Sequence, residues 1–297
     1  MKRTVYFYLL LPLSILYGWI TTIRNWLYDF KILPSIKFER AIISVGNLVA
    51  GGTGKTPHVE LLIQALNPKY STAFLSRGYK RKSRGFVLAD KNASSDLIGD
   101  EPYQVFRKFR NLTIAVDEKR VRGIKNLYSI QPELDVVLLD DAFQHRALIP
   151  GLSILLTDFS RIYSLDCMMP SGRLRECASG SKRADIIIVT KCNPNITEAQ
   201  MHHIIDALKP QSHQLVYFSC IIYKAIQPVF EKKEPIACIS GYDVLLVTGI
   251  SNYKPLENEL LRQNNNVVCL PYSDHHNFSV EEYIEIEKSF LHLQSDK

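Results

Sequence analysis

Short apolar runs recur along the chain, at residues 41–45, 72–75, 112–116, 136–139, 154–157 and 186–190. Each run is apolar almost throughout, the pattern of a strand buried on both faces rather than on one. Between several of them the apolar positions repeat at helical spacing, over 59–66, 103–109 and 119–130. Strands alternating with helices predict an α/β domain with a parallel sheet covered on both sides. A short strand is expected over 86–89. After Gln214 the pattern changes. Residues 215–222 and 225–230 alternate like paired strands. A smaller α/β set then follows: a strand at 244–248, a helix near 256–262, a strand at 267–270 and a final helix near 280–293. The three asparagines at 264–266 read as a turn or a helix end.

The first thirty residues are different. Residues 4–23 contain no charge, with Lys2 and Arg3 before them and Arg24 after. As a helix this stretch is about 30 Å long, the thickness of a bilayer core. Tyr6, Tyr8, Tyr17, Trp19, Trp26 and Tyr28 are residues that favour the membrane interface. A cleaved signal peptide fits poorly, because no small-residue cleavage site follows. A buried core helix and a membrane helix, spanning or lying flat, both fit the length; the membrane helix fits the aromatic belt better. Three segments are therefore expected: a membrane-associated helix over 1–30, a larger α/β domain over 31–214, and a linker with a smaller α/β domain over 215–297.

Residues 45–57 read Val-Gly-Asn-Leu-Val-Ala-Gly-Gly-Thr-Gly-Lys-Thr-Pro. A strand, a glycine turn, Lys-Thr and then a helix form the context of a P-loop. Gly51, Gly52, Thr53 and Gly54 would aim backbone N–H groups at a phosphate, Lys55 would reach the outer phosphates, and Thr56 would hold Mg²⁺. The generic pattern has glycine where Val49 stands. Leu138-Leu139-Asp140-Asp141 has the form of a strand that delivers an acid to that metal. Asp100 and Glu101, between Gly99 and Pro102, are either a proton acceptor in a constrained loop or a helix start. Asp274-His275-His276 is either a tuned base or an ordinary loop. Arg77, Arg120, Arg173 and Arg175 suit phosphate recognition. The run of Lys80–Lys82 with Arg84 is either a solvated face or a contact for anionic headgroups.

Composition narrows this further. The chain has 297 residues, 46% hydrophobic and 22% charged, with a net charge of +6. That excess is too small to indicate nucleic acid, and no nucleic-acid signature is present. The six cysteines include no Cys-x-x-Cys pair, so they read as reduced thiols rather than a zinc site or disulfide framework.

Taken in order, Val-Gly-Asn-x-x-x-Gly-Gly-x-Gly-Lys-Thr-Pro at 45–57, Ser-Arg-Gly-Tyr at 76–79, Gly-Asp-Glu-Pro at 99–102, Asp-Asp-x-x-Gln-His at 140–145, Pro-Ser-Gly-x-Leu-Arg-Glu at 170–176 and Asp-His-His at 274–276 resemble the tetraacyldisaccharide 4′-kinases. The resemblance covers most of the chain, and the family's own loop lacks the first glycine. It implies a P-loop NTPase-like fold of two α/β/α domains joined by a β-hairpin linker. It implies ATP and Mg²⁺ and a lipid acceptor (tetraacylated glucosamine disaccharide 1-phosphate); no protein partner is implied. Localisation at the cytoplasmic face of the bacterial inner membrane follows from it. Carried over by position, Asp100 resembles the catalytic base, supported by His275. Lys55 and Arg175 join them in catalysis. Thr56, Asp140, Asp141 and Glu176 fall at the metal site, and Arg77, Glu101, Arg120 and Gln144 at the acceptor site.

A P-loop GTPase or nucleotide-gated chaperone is the main alternative. Thr190-Lys191-Cys192-Asn193 has some likeness to the guanine-reading Asn-Lys-x-Asp, but it lacks the base-selecting carboxylate. A membrane-tethered scaffold with a structural glycine turn is the third.

Overall fold

In the computed structural model the described residues are 5–229, 236, 239–250, 252–273 and 276–295. They divide into two compact units, one up to Ile221 and one from Ile222.

The first unit opens with helix α1 (Val5–Asp29), then β1 (Ile36–Lys37), β2 (Ala41–Asn47), α2 (Lys55–Leu66), β3 (Thr72–Ser76) and β4 (Val87–Leu88). It continues with α3 (Ser95–Ile98), α4 (Asp100–Lys108), β5 (Thr113–Val116), α5 (Arg120–Ile130), β6 (Val136–Asp140), β7 (Leu148–Ile149) and β8 (Leu152–Asp158). It closes with β9 (Ile186–Cys192), α6 (Glu198–Leu208) and β10 (Leu215–Cys220). Eight strands form one sheet in the order β10-β9-β8-β2-β6-β3-β5-β4. Every pairing in it is parallel except β4 against β5.

The apolar runs become strands because both of their faces are covered. On one face Leu75, Val137 and Leu139 pack with Ile124 and Leu127 of α5. On the other, Phe74, Val136 and Leu138 pack with Val59 and Ile63 of α2 and Val105 of α4. Successive strand residues thus enter opposite cores, the period-two rule of a pleated strand. Strand β2 lies between β6 and β8, while its chain crosses α2 to reach β3. The carboxyl ends of β2, β6 and β3 therefore open on one crevice, where open parallel sheets place their ligands.

Two features differ from the expectation. Residues 215–220 do not begin the second unit; β10 extends the large sheet beside β9, with Leu215 opposite Ile186. Its alternation reflects an edge position, where one strand partner is missing. Helix α6 was not anticipated from the apolar pattern. It starts at a capping box in which Thr197 and Gln200 satisfy each other's backbone N–H.

In the second unit β11 (Asp243–Thr248) pairs in parallel with β12 (Asn266–Pro271), with α7 (Lys254–Arg262) between them and α8 (Val280–Ser295) last. Of the strand pair expected after 215, Ile226 bridges Ile236 in antiparallel fashion. Asn264, with φ +59, and Asn265, which bonds the Leu260 carbonyl, end α7 as the triple asparagine suggested.

Helix α1 is long and apolar enough to cross a membrane by length and composition. It lies against the rest of the first unit through a stripe of mostly small and polar residues: Ser14 and Thr21 are buried, Gly18 faces Met168, and Phe7 is a large apolar side chain buried with them. Leu9, Leu13, Leu16, Trp19, Ile20, Ile23 and Trp26 point outward, Trp19 being 68% exposed. This inverts the usual amphipathic helix of a globular protein, whose apolar stripe faces the core.

Candidate active site

Helix α2 begins directly after the glycine turn. Gly54 takes φ +82, a left-handed geometry that a side chain would strain, and Lys55 is the first helical residue. The turn is propped from within by Asn47, whose amide donates to Thr53 Oγ1 at 2.7 Å. It is propped from outside by residues 173–175: Ala50 N donates to the Arg173 carbonyl and Arg175 N to the Leu48 carbonyl. These bonds leave the N–H groups at the start of α2 facing the crevice, an anion site by geometry and dipole.

At the end of β6, Asp140 is buried, 3% exposed. Its Oδ2 accepts a long hydrogen bond from Ser76 Oγ, and its Oδ1 has no partner. Burial, then the nearby Glu101 and Asp141 carboxylates, push its pKa up to about 7. Asp141 follows in a left-handed conformation, φ +46. Arg175 grips both of its oxygens, at 2.7 and 2.9 Å, and Lys55 Nζ lies 3.7 Å away. Burial opposes its charge, but the Arg175 hydrogen bonds and the two cations win and hold its pKa down at about 2. Two adjacent aspartates thus have opposite characters. One is a neutralised ion-pair member and the other a buried carboxyl with no salt bridge among the described residues, only the more distant charges of Lys55 and Arg120.

Asp100 is the first residue of α4, exposed at its amino end. Gly99 takes φ +92 and packs so tightly on Gly78 that a Cβ would lie 2.9 Å from the Tyr79 carbonyl. This contact sets the Asp100-Glu101 corner beside Ser76-Arg77-Gly78, and Glu101 is close enough to act on Asp140. Arg77 is exposed at the same corner. Arg120, 2% exposed, donates to the Asp117 and Asp140 carbonyls at 2.7 and 3.2 Å and leaves its Nε unpartnered. Burial lowers its pKa to about 10. Arg122 instead forks onto Asp117. His145 is held neutral, its pKa lowered to about 4 by burial and by Arg120, Arg77 and Arg24.

Glu176 has a different setting from Asp140. It is 2% exposed, and Arg183 contacts both oxygens at 2.9 Å. Asn25 of α1 donates to Oε2 at 2.7 Å and Gln144 to Oε1 at 3.0 Å. The same Gln144 amide lies 2.8 Å from the Asn47 carbonyl at the end of β2. Arg24 and Tyr17 of α1 add bonds to the Gln144 and Arg175 carbonyls. Glu176 and Gln144 therefore pin α1 to the strand that carries the glycine turn.

The structure brings Gly51, Gly52, Thr53, Gly54, Lys55, Thr56, Asp140, Asp141 and Arg175 together around one crevice, with Glu101, Arg77 and Arg120 at its flank. His275 lies outside the described residues. Asn25 and Arg183 border the site without lying in any motif. Asn47 sits within the quoted run at 45–57, and Thr190 and Lys191 within the segment compared with Asn-Lys-x-Asp, but neither passage of sequence indicated contact with the glycine turn.

A glycine turn, a charged lysine and a carboxylate pair on adjacent parallel strands define a P-loop protein built for phosphoryl chemistry. Its relatives are specific. The family model for tetraacyldisaccharide-1-P 4′-kinase matches residues 6–295. A tetraacyldisaccharide 4′-kinase of Parabacteroides distasonis is 46% identical over 97% of this chain and 79% of the relative. One from Flavobacterium johnsoniae is 46% identical over 91% and 79%. The crystal structure of Aquifex aeolicus LpxK in complex with ATP superposes with a TM-score of 0.73, at 28% identity, covering 94% of this chain and 86% of that one. The chain belongs to the tetraacyldisaccharide-1-phosphate 4′-kinase family.

Proposed function

We propose that the triphosphate of ATP rests on the turn at residues 48–56 and that its terminal phosphoryl passes to a sugar hydroxyl. The reaction is ATP-dependent phosphorylation of the 4′-hydroxyl of tetraacyldisaccharide 1-phosphate, giving the 1,4′-bisphosphate and ADP. The bond from the γ-phosphorus to the bridging oxygen breaks, the bond to the 4′-oxygen forms, and the hydroxyl proton leaves to Asp100. Such a transfer needs positioning and charge neutralisation more than covalent help.

Lys55 neutralises the outer phosphates, and its place beside Asp141 keeps its ammonium at the crevice. Arg175, fixed through both guanidinium nitrogens by Asp141, stabilises the charge that builds on the transferred group. Asp140 and Thr56 fit Mg²⁺: a buried carboxylate oxygen without a partner, beside the phosphate turn, is an incomplete group that a cation completes. Bound there, Mg²⁺ supplies charge neutralisation of the triphosphate. Asp141, with both oxygens engaged, and Glu176, with Arg183, Asn25 and Gln144 around it, act as organisers rather than metal ligands. Arg77, Arg120, Glu101 and Gln144 border the acceptor.

The outward face of α1 fits a membrane surface. Its exposed leucines, isoleucines and tryptophans gain by leaving water, while its polar stripe is already satisfied by the first unit. The acceptor's acyl chains cost about 0.8 kcal/mol per CH₂ to withdraw from lipid, so an enzyme held at the surface meets the sugar headgroup where it emerges. Nucleotide chemistry favours the cytoplasmic face.

The observation that carries the metal assignment is the unpartnered Asp140 oxygen. Mn²⁺ substituted for Mg²⁺ in the presence of ATP tests it by paramagnetic resonance. Tight Mn²⁺ binding that weakens strongly in Asp140→Asn is the expected result. Unchanged binding would remove Asp140 from the metal site.

A further inference from the structure

The end of β9 carries Thr190-Lys191-Cys192-Asn193, which the transfer described above leaves without a part to play. Lys191 has φ +58, a backbone conformation that residues with a Cβ rarely adopt and that tends to mark functional corners. Its ammonium donates to the Gly52 carbonyl of the glycine turn and lies 2.8 Å from Asp158 Oδ2 at the end of β8. Burial opposes the charge on Asp158, but Lys191 and Ser160 hold its carboxyl below the usual range. Thr190 is buried next door, its hydroxyl 2.9 Å from the Thr53 carbonyl and 3.2 Å from the Thr157 carbonyl. Two consecutive carbonyls of the turn, at Gly52 and Thr53, are therefore tied to side chains of β9.

A peptide unit is planar and trans, so its C=O and the next N–H point in opposite directions. Tying the Gly52 and Thr53 carbonyls toward β9 sends the N–H groups of Thr53 and Gly54 the other way. A glycine-rich turn left to itself samples rotated peptides. Each rotation would turn a carbonyl oxygen toward the phosphates, where the charge is wrong. We infer that Lys191 and Thr190 are a positioning pair that fixes the peptide planes of the turn for triphosphate binding, with Asp158 holding the lysine in place. This rests on reading residues 48–56 as the triphosphate cradle, and it deepens that reading by naming what keeps the cradle in shape.

The test compares Lys191→Met, Lys191→Arg and Thr190→Val with the unaltered chain. Four quantities are read: KM for ATP, KM for the lipid acceptor, displacement of a fluorescent ATP analogue by inorganic tripolyphosphate, and the thermal midpoint. Lys191→Met is expected to weaken ATP and tripolyphosphate by the same factor, about 10- to 100-fold, the range for losing a charge-assisted bond. The acceptor KM should stay within about twofold. Lys191→Arg, which keeps a cation, should recover most of the loss. Thr190→Val, equal in shape and lacking only the hydroxyl, should cost about 3- to 10-fold, and it carries the test if Lys191→Met does not fold.

Weakened ATP with unchanged tripolyphosphate would assign Lys191 to the nucleoside and overturn the inference. Equal losses for ATP and acceptor would mean general loosening and would overturn it too, as would an unaltered KM for ATP. Tripolyphosphate displacement needs no lipid. A failure of phosphoryl transfer to the acceptor would therefore count against the proposed reaction and leave this result readable.

Discussion

Replacing Asp140 with asparagine separates what the carboxylate does for the reaction from what it does to the fold. Asp140 is buried, with one oxygen unpartnered and two other acids nearby. Its pKa rises from 3.8 to about 7. An unfolded chain ionises this group near pH 4, whereas the folded chain keeps its proton until about pH 7. The folded state thus binds more protons across that window, and stability falls as pH rises through it. The difference of about three units corresponds to at most about 4 kcal/mol, and relaxation of the site brings the expectation nearer 2–3 kcal/mol. Asp140→Asn keeps the shape and removes the charge. It should raise the thermal midpoint of the metal-free protein by about 4–12 °C at pH 8, using about 2–4 °C per kcal/mol for a chain of this size. At pH 4, where the wild-type carboxyl is already neutral, the gain should vanish. Mg²⁺ with ATP should stabilise the wild type more than the variant, and turnover should fall by at least about a hundredfold. The assay is calorimetry at both pH values with and without Mg²⁺. A variant no more stable at pH 8, or equally stabilised at pH 4 and pH 8, would refute the electrostatic account of this residue.

Three further outcomes follow from the same geometry. Asp100→Asn should lower kcat by about 10²–10⁴ while leaving the KM for ATP near its normal value, read by steady-state kinetics; an unchanged kcat removes Asp100 as the base. Glu176→Gln should destabilise the fold by about 2–4 kcal/mol, because Arg183 loses its partner, yet leave the Mg²⁺ requirement unaltered. A raised Mg²⁺ requirement in that variant would return Glu176 to the metal site. Leu16→Glu with Trp19→Glu, both on the outward face of α1, should cut binding to anionic phospholipid vesicles at least about a hundredfold without changing the thermal midpoint. Binding that survives would contradict the membrane reading of that face.

The parts of the site that were legible in the sequence are those whose chemistry is contiguous. A phosphate turn must follow a strand and open a helix, so residues 45–57 declare themselves, and an acid ending a buried apolar run announces Asp140. Asp100 and Arg175 stood out in the sequence only with their roles open, and the resemblance alone implied catalysis for them; Asp100 opens helix α4. What stayed hidden depends on strand order. Thr190 and Lys191 reach the turn because β9 lies two strands from β2, and Arg175 meets Asp141 across a loop return. Nothing local in the sequence announces that Glu176 is surrounded by Arg183, Asn25 and Gln144; those partners come from distant parts of the chain. The orientation of α1 was hidden for a similar reason. Its length and aromatics suggested lipid, but its docking depends on Ser14, Tyr17 and Asn25 finding acceptors and donors over a hundred residues later. Strand β10 alternated like a hairpin strand because a sheet edge and a hairpin expose backbone in similar ways.

Transfer of a labelled γ-phosphoryl from ATP to the acylated disaccharide 1-phosphate in mixed vesicles, compared with the 4′-deoxy analogue, tests the central claim most directly. Label should appear in a lipid-extractable 1,4′-bisphosphate with the natural acceptor, and none with the deoxy analogue or with Lys55→Ala. Label in the deoxy lipid, or hydrolysis of ATP at the same rate with no lipid product, would contradict it.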